Sequence, residues 1–416
     1  MLDRVPLLEK DLDAYAPIVG HEVIARIRET AEPLRGARVL HVNATAYGGG
    51  VAELLATHVP LLRSAGLDAD WQVIRGSDDF FKVTKTVHNA LQGAKIEWTR
   101  AMEASYLEYV LDNALRLEGA YDFVVIHDPQ PAALVNFVRD SRLTGDHTRW
   151  IWRCHIDLTD ADPEVWEFYR PFVQRYDAAV FTMPEFVPAT LDMNRVVEAP
   201  PCIDPLSVKN LDLPQPFGEE LCKQYGVDVH RPIVCQVSRY DPWKDPVGVI
   251  EAFRIIRERV TDVQLLLAGS MATDDPEGFR VWDEVQQIRA NDPDIYLLSN
   301  IQQVGNVQIN AFQRLADVVI QKSIREGFGL TVSEALWKGR PVVGGRAGGI
   351  VLQIRDGYDG YLVDSIEDCA ARTIDLLADP VGADAMGAQG REHVRTNFLA
   401  TRELEDWLRL LTELRP

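Results

Sequence analysis

Ser323-Ile324-Arg325-Glu326-Gly327-Phe328-Gly329-Leu330-Thr331-Val332-Ser333-Glu334-Ala335 follows the apolar run Val318–Ile320 and leads into a helical pattern. The run is short and apolar at every position, as a strand buried on both faces must be. Glycines then punctuate the chain, and a helix is expected from about Leu330. A strand, a glycine-rich loop and a helix in that order form part of a βαβ unit. The loop lies at the carboxyl end of its strand, the edge where open α/β sheets bind ligands. Glu326 stands on the loop and Glu334 in the opening turns of the helix, with exposed backbone N–H groups between them. Carboxylates so placed accept hydrogen bonds from hydroxyls, while helix N-terminal N–H groups hold phosphate oxygens. A plainer reading makes Thr331 and Glu334 a capping box. That reading accounts for Glu334 and leaves Glu326, Gly327 and Gly329 unexplained.

The same alternation extends outward from this stretch. In the second half, strands are expected at Ile233–Val237, Gln264–Ala268, Ile295–Leu298, Val318–Ile320, Pro341–Gly344 and Gly360–Val363. Helical patterns such as Val247–Arg259, Phe279–Ala290 and Val307–Leu315 separate them. The first half repeats the scheme, with strands at Ala37–Val42, Ala69–Ile74, Phe123–Ile126, Trp150–Cys154 and Ala178–Phe181. Its helical patterns include Val51–Ser64 and Ala101–Leu117. Repeated strand–helix units imply parallel sheets with right-handed crossovers, and so an α/β protein of doubly wound domains. Between Ala199 and Pro216, prolines at 200, 201, 205, 214 and 216 mark a linker. The expected domains are therefore 1–205 and 206–395, followed by a terminal helix in 396–416.

Other motifs fall at strand ends. Tyr47-Gly48-Gly49-Gly50-Val51-Ala52-Glu53 follows a strand and opens a helix. Gly48, Gly49 and Gly50 let the backbone approach a phosphate or hydroxyl closely, or they simply make a tight turn. The dinucleotide fingerprint is absent, because Glu53 takes the place of its third glycine, and no P-loop occurs. Ser238-Arg239-Tyr240-Asp241-Pro242-Trp243-Lys244-Asp245 directly follows the first strand of the second half. Arg239 and Lys244 could neutralise a diphosphate there, or they could form surface ion pairs with Asp241 and Asp245. His155 ends a strand and could donate to a polar ligand, or be an ordinary satisfied polar residue. His127-Asp128-Pro129-Gln130 raises the same question. Asp68/Asp70 and Asp160/Asp162 have a spacing that can hold a divalent cation, but neither follows a clear apolar strand end. They read as solvated charge, and no metal site is assigned.

The chain has 416 residues with 63 acidic and 43 basic side chains, a net charge of −20. Such an excess argues against nucleic acid and anionic membranes as partners, since both need clustered Lys and Arg. The first residues lack a basic start and an apolar run, and no stretch is long enough to span a bilayer, so a cytoplasmic location is expected. Five cysteines, at 154, 202, 222, 235 and 369, are widely spaced and suit reduced thiols better than disulfides or a zinc site.

Together these residues resemble the retaining family-4 glycosyltransferases, whose GT-B fold sets two Rossmann-like domains across a cleft. Glu326 and Glu334 match the E-x7-E pattern of that group. EGFGLTVSEALWKGRPVV (326–343), SRYDPWKDP (238–246), the GGG turn and AGGI (347–350) fall in the family's order. Within the group the chain resembles the trehalose glycosyltransferring synthases, through HVNATAYGGGVAE (41–53), FFKVTKTVHNALQG (80–93), HDPQPAALV (127–135) and WRCHIDLT (152–159).

The resemblance implies reversible transfer of glucose, with retention, from UDP-, ADP- or GDP-glucose to free glucose, forming α,α-trehalose. A family-4 enzyme with another acceptor, and a non-catalytic nucleotide-sugar-binding protein, are the alternatives. The implied roles are catalytic for Glu326, Arg239, Lys244 and His155. Donor binding falls to Gly48, Gly49, Gly50, Gly327, Phe328, Gly329, Leu330 and Glu334. Acceptor candidates are Asp128, Gln130, Asp157 and Lys85. No tightly bound cofactor is expected, with magnesium at most a stimulant, and the family pattern leaves room for a homodimer. GT-B chains often return their last helix to the first domain. Leu404, Trp407, Leu408 and Leu411 have the helical spacing for that, or for ordinary core packing.

Overall fold

Thirteen strands organise the described part of a computed structural model, which covers residues 2–47, 49–139, 147–270 and 276–415. In the first half these are β1 (Asp3–Arg4), β2 (Arg38–Asn43), β3 (Asp68–Val73), β4 (Phe123–His127), β5 (Arg149–Arg153), β6 (Ala178–Phe181) and β7 (Val196–Glu198). They form one sheet in the order β1-β3-β2-β4-β5-β6-β7, parallel except for β1. The second half contributes β8 (Ile233–Val237), β9 (Gln264–Gly269), β10 (Ile295–Ser299), β11 (Val318–Gln321), β12 (Val342–Gly345) and β13 (Tyr361–Val363). Their order, β10-β9-β8-β11-β12-β13, is wholly parallel and is the Rossmann arrangement.

Each strand expected from sequence is present, with ends shifted by at most a residue. The central strands β4, β6, β8 and β11 are buried at every position, because helices cover both faces of the sheet. Only β1 and β7 lacked a sequence signal. Both are short outer strands with exposed charged residues, so neither carries the apolar run of a buried strand.

The chain divides into two units, Met1–Pro201 with Ala400–Pro416, and Cys202–Leu399. The crossings lie four residues from the expected boundaries, at 201/202 and 399/400. Ile203 N donates to Phe398 O at 2.9 Å and Ile203 pairs with Leu399, which keeps both segments with the second unit. The terminal helix, Ala400–Leu414, packs on the helices His21–Ala31 and Gly50–Ser64 of the first unit. Leu404, Trp407, Leu408 and Leu411 lie in that unit's apolar core beside Val39, Val125 and Ile151. Where the terminal helix meets His21–Ala31, Glu405 pairs with Arg26 at 2.8 Å. Among the described residues no helix is long and apolar enough to cross a membrane.

Candidate functional site

In the second unit the strand order reverses between β8 and β11. Loops leaving the carboxyl ends of those two strands lie at the edge where such sheets take ligands. The loop after β8 carries Arg239 and Lys244, and the loop after β11 carries Glu326. Lys244 Nζ donates to Glu326 Oε2 at 2.6 Å, with the two side chains only 14% and 10% exposed. Ser323 Oγ donates to the same oxygen at 3.2 Å, and Gln321 Nε2 holds Ser323 Oγ at 3.1 Å. Gln236 Nε2 donates to Lys244 O at 2.7 Å, and Ile324 N donates to Trp243 O at 2.8 Å, so the two loops are fastened together.

Two plainer readings are corrected here. Lys244 does not pair with Asp245. Asp245 caps the helix Pro246–Arg257 through Gly248 N at 3.1 Å, and its other oxygen binds Lys322. Nor do Thr331 and Glu334 form a capping box. The helix Leu330–Trp337 is entered through Gly329 at φ +83°, with no side-chain cap, and a Cβ there would meet the Glu326 side chain. Glu334 is fully buried and its carboxylate lies 3.2 Å from Lys209 Nζ. Beyond that ion pair, neither oxygen has a hydrogen-bond donor among the described residues. Arg239 does pair with Asp241, at 2.8 Å, and its side chain is half exposed.

The backbone of Gly327 and Phe328 is pinned from below. Gly349 N donates to Gly327 O at 3.2 Å, and Gln353 Nε2 donates to Phe328 O at 2.6 Å. Gly349 is the residue type that fits, since a Cβ would stand 2.6 Å from Phe328 Cα. Phe328 itself is buried and Leu330 opens the helix.

In the first unit the order reverses between β2 and β4. After β2 the chain reaches Gly49 and Gly50, which start the helix Gly50–Ser64 without a side-chain cap, while Gly48 lies outside the described residues. After β4 and β5 come Asp128 and His155. Asp128 sits at φ +64° and its Oδ1 accepts from His155 N at 2.8 Å. Burial pushes its carboxyl up to about 6, although the His155 N–H and Arg153 oppose the shift. Gln130 lies in the same loop as Asp128, Asp157 accepts from Thr159 N at 2.8 Å to close its own turn, and Lys85 is exposed on the helix Asp78–Leu91.

Behind His155 lies a group that sequence reading did not assemble. His155 Nε2 meets His127 Nδ1 at 3.0 Å, and His127 Nε2 meets His41 Nδ1 at 3.0 Å. Burial, helped for His155 by nearby Arg153, holds all three imidazoles well below the ordinary histidine range, so they are neutral at pH 7. His58 stands edge-on to His41 and is pushed down to about 3 by burial. His58, His127, Arg153, His155, Glu403 and Trp407 line a small pocket. Burial pushes the Glu403 carboxyl up to about 7. These residues come from β2, β4, β5 and the loop after it, and two helices remote in sequence, so no local pattern could have marked them as a set.

Of the cation-spaced aspartates, Asp68, Asp70 and Asp162 have structural partners, and Asp70, which is buried, is not the solvated charge expected from sequence. Asp70 pairs with Arg4 and Arg63, Asp68 with Arg38, and Asp162 caps the helix Pro163–Val173. All five cysteines are buried free thiols.

Two doubly wound units, one presenting a lysine–glutamate pair and a glycine-entered helix at its switch point, have the architecture of a GT-B glycosyltransferase. Residues 41–188 match the family model for the trehalose synthase N-terminal domain, and residues 218–393 match glycosyl transferases group 1. The trehalose synthase of Rubrobacter xylanophilus is 51% identical over 100% of this chain and 99% of its own length. That of Pyrococcus horikoshii is 45% identical over 98% of this chain and 97% of its own. The chain belongs to the trehalose synthase family. An α,α-trehalose-phosphate synthase (UDP-forming) from Burkholderia xenovorans shares the fold with a TM-score of 0.71 at 14% identity, covering 91% of this chain and 100% of that one.

Proposed function

We propose that this protein transfers the glucosyl group of a nucleoside-diphosphate glucose to free glucose, reversibly and with retention, giving α,α-trehalose. The family relationship supports the product. The observation that carries the chemistry is the Lys244–Glu326 pair beside the helix entered at Gly329. An ammonium held by a carboxylate at that point is a cation ready to exchange partners. When the donor binds, Lys244 turns to the diphosphate and Glu326 is released to accept from glucosyl hydroxyls. Arg239, half exposed and paired near the surface, adds a second positive charge. Backbone N–H groups of Phe328 to Leu330 hold phosphate oxygens, and Glu334 receives the ribose hydroxyls beside Lys209.

In the first unit, His155 donates to the donor sugar, Asp128 and Gln130 take the acceptor, and Gly49 and Gly50 support the donor. The bond from the anomeric carbon to the phosphate oxygen breaks as the acceptor oxygen adds on the same face. The acceptor proton passes to the departing phosphate oxygen. No carboxylate nucleophile is needed, unlike a retaining glycosidase, and the rate enhancement comes from charge stabilisation and orientation. Arg239 and Lys244 do the neutralising, so chelator-treated enzyme should keep its turnover and magnesium should at most stimulate it.

The test is incubation with UDP-, ADP- or GDP-glucose plus free glucose, with the disaccharide and its linkage identified by NMR. α,α-Trehalose is expected. Product only with other acceptors would give the enzyme a different disaccharide, and donor binding without turnover would make it a nucleotide-sugar-binding protein.

A further inference from the structure

We infer that His41 and His127 form a directional, neutral imidazole relay that fixes His155 as an Nδ1–H donor. The inference deepens the proposed function, because His155 is the residue assigned there to the donor sugar.

The geometry follows from the sheet. His41 on β2 is in register with Val125 on β4, so His127, two residues further on, shares the same face one diagonal step away. His127 is in register with Arg153 on β5, and His155 repeats the step just past that strand's end. The three rings therefore climb diagonally across one face, toward the carboxyl edge where ligands bind. His127 and His155 lie nearly parallel, 14° between ring planes, and His41 and His127 are tilted by 31°.

A neutral imidazole carries one N–H, so a chain of three has two possible polarities. In the inward polarity, His155 Nε2–H donates to His127, and His127 Nε2–H donates to His41 Nδ1. His41 must then carry its proton on Nε2, a buried atom with no hydrogen-bond partner among the described residues. In the outward polarity, His41 Nδ1–H donates to His127 Nε2, and His127 Nδ1–H donates to His155 Nε2. The orphan at the inner end is then only a lone pair. A buried N–H without an acceptor is the rarer and costlier defect, so the outward polarity is selected. His155 must then carry its proton on Nδ1, which has no partner among the described residues, on a ring only partly buried. Free histidine prefers the opposite tautomer, so the relay imposes a state that His155 would not choose alone.

His127 and His41 are positioning residues in this scheme: they act on the sugar through His155. The relay also keeps the donor uncharged, because burial disfavours an imidazolium at each of the three positions. A neutral donor orients a hydroxyl without competing with the cations for the diphosphate.

The tautomers can be read directly in the full-length protein, without substrate, by long-range 1H–15N correlation on 15N-histidine-labelled chain. The His155 ring is assigned by its disappearance in His155→Gln. The expected result is an Nδ1–H His155 in the native chain, retained in His127→Gln, whose amide can accept from His41 and donate to His155. In His127→Phe the preference should revert to Nε2–H. That variant should also lose kcat by on the order of tenfold or more, with donor KM little changed, whereas His127→Gln should stay nearer the native rate. An Nε2–H or doubly protonated His155 in the native chain overturns the inference, as does a tautomer indifferent to His127→Phe. If His127→Phe does not fold, the native spectrum still decides. Because the tautomer is read without turnover, its result stands apart from whether trehalose is the product.

Discussion

Replacing Lys244 by alanine strips Glu326 of its cation and leaves Ser323 Oγ, at 3.2 Å, as the remaining hydrogen-bond donor to Glu326 Oε2. At an N–O distance of 2.6 Å the attraction is roughly 6 kcal/mol for an effective dielectric of about 20, before desolvation is counted. Desolvation consumes much of that, since both side chains are nearly buried, and loss of one partner should cost about 2–3 kcal/mol. That corresponds to a fall of about 5–10 °C in thermal midpoint. Removing Glu326 as well takes away the stranded charge, so Lys244→Ala/Glu326→Ala should lie within about 1 kcal/mol of the native protein. The coupling in the double-mutant cycle should therefore be about 4 kcal/mol, with the double variant more stable than Lys244→Ala. Activity should behave oppositely. Lys244→Ala should lower kcat by on the order of 10²–10³, and the double variant should recover none of it. Calorimetry and steady-state kinetics on the three variants make the assay. A double variant as unstable as the sum of the singles would refute the coupled pair. Near-native turnover in Lys244→Ala would remove it from the diphosphate site.

Arg239→Ala should change stability by less than about 0.5 kcal/mol, because its pair with Asp241 is half exposed, yet lower kcat/KM by on the order of a hundredfold; unchanged kinetics would reduce Arg239 to a surface residue. Gly349→Ala should destabilise the protein by about 2 kcal/mol or more, since the new Cβ meets the Phe328 backbone, and a thermal midpoint equal to the native value would contradict that packing. Glu403 has a folded-state pKa near 7, above its ordinary 4.5. The folded chain thus binds more protons between those values, so the Glu403 contribution to stability is complete below about 4.5 and is lost as pH rises through about 7. Glu403→Gln should flatten the thermal midpoint against pH in that window, and identical slopes would reject the assignment.

The loop and helix carrying Glu326 and Glu334 were readable from sequence because burial of a parallel strand and the opening of a helix are local patterns. The strand pattern likewise located every central strand, while β1 and β7 escaped because outer strands with exposed charges carry no apolar run. Partners were a different matter. Both Asp245 and Glu326 were available to Lys244, and neighbourhood in sequence favoured the wrong one. Asp245 is turned away by its left-handed backbone and its role as a helix cap. Lys209 gave no sign that it would answer Glu334 across 125 residues of chain.

By itself the sequence determined the doubly wound class, the glycine-entered helix and the family, because each rests on residues a few positions apart. Only the tertiary structure decided that Lys244 meets Glu326 across 82 residues, and that His41, His127 and His155 join across 86 and 28. Burial periodicity is short-ranged and written along the chain. Which charge or ring faces which depends on strand order and register, and those are settled only when the sheet assembles.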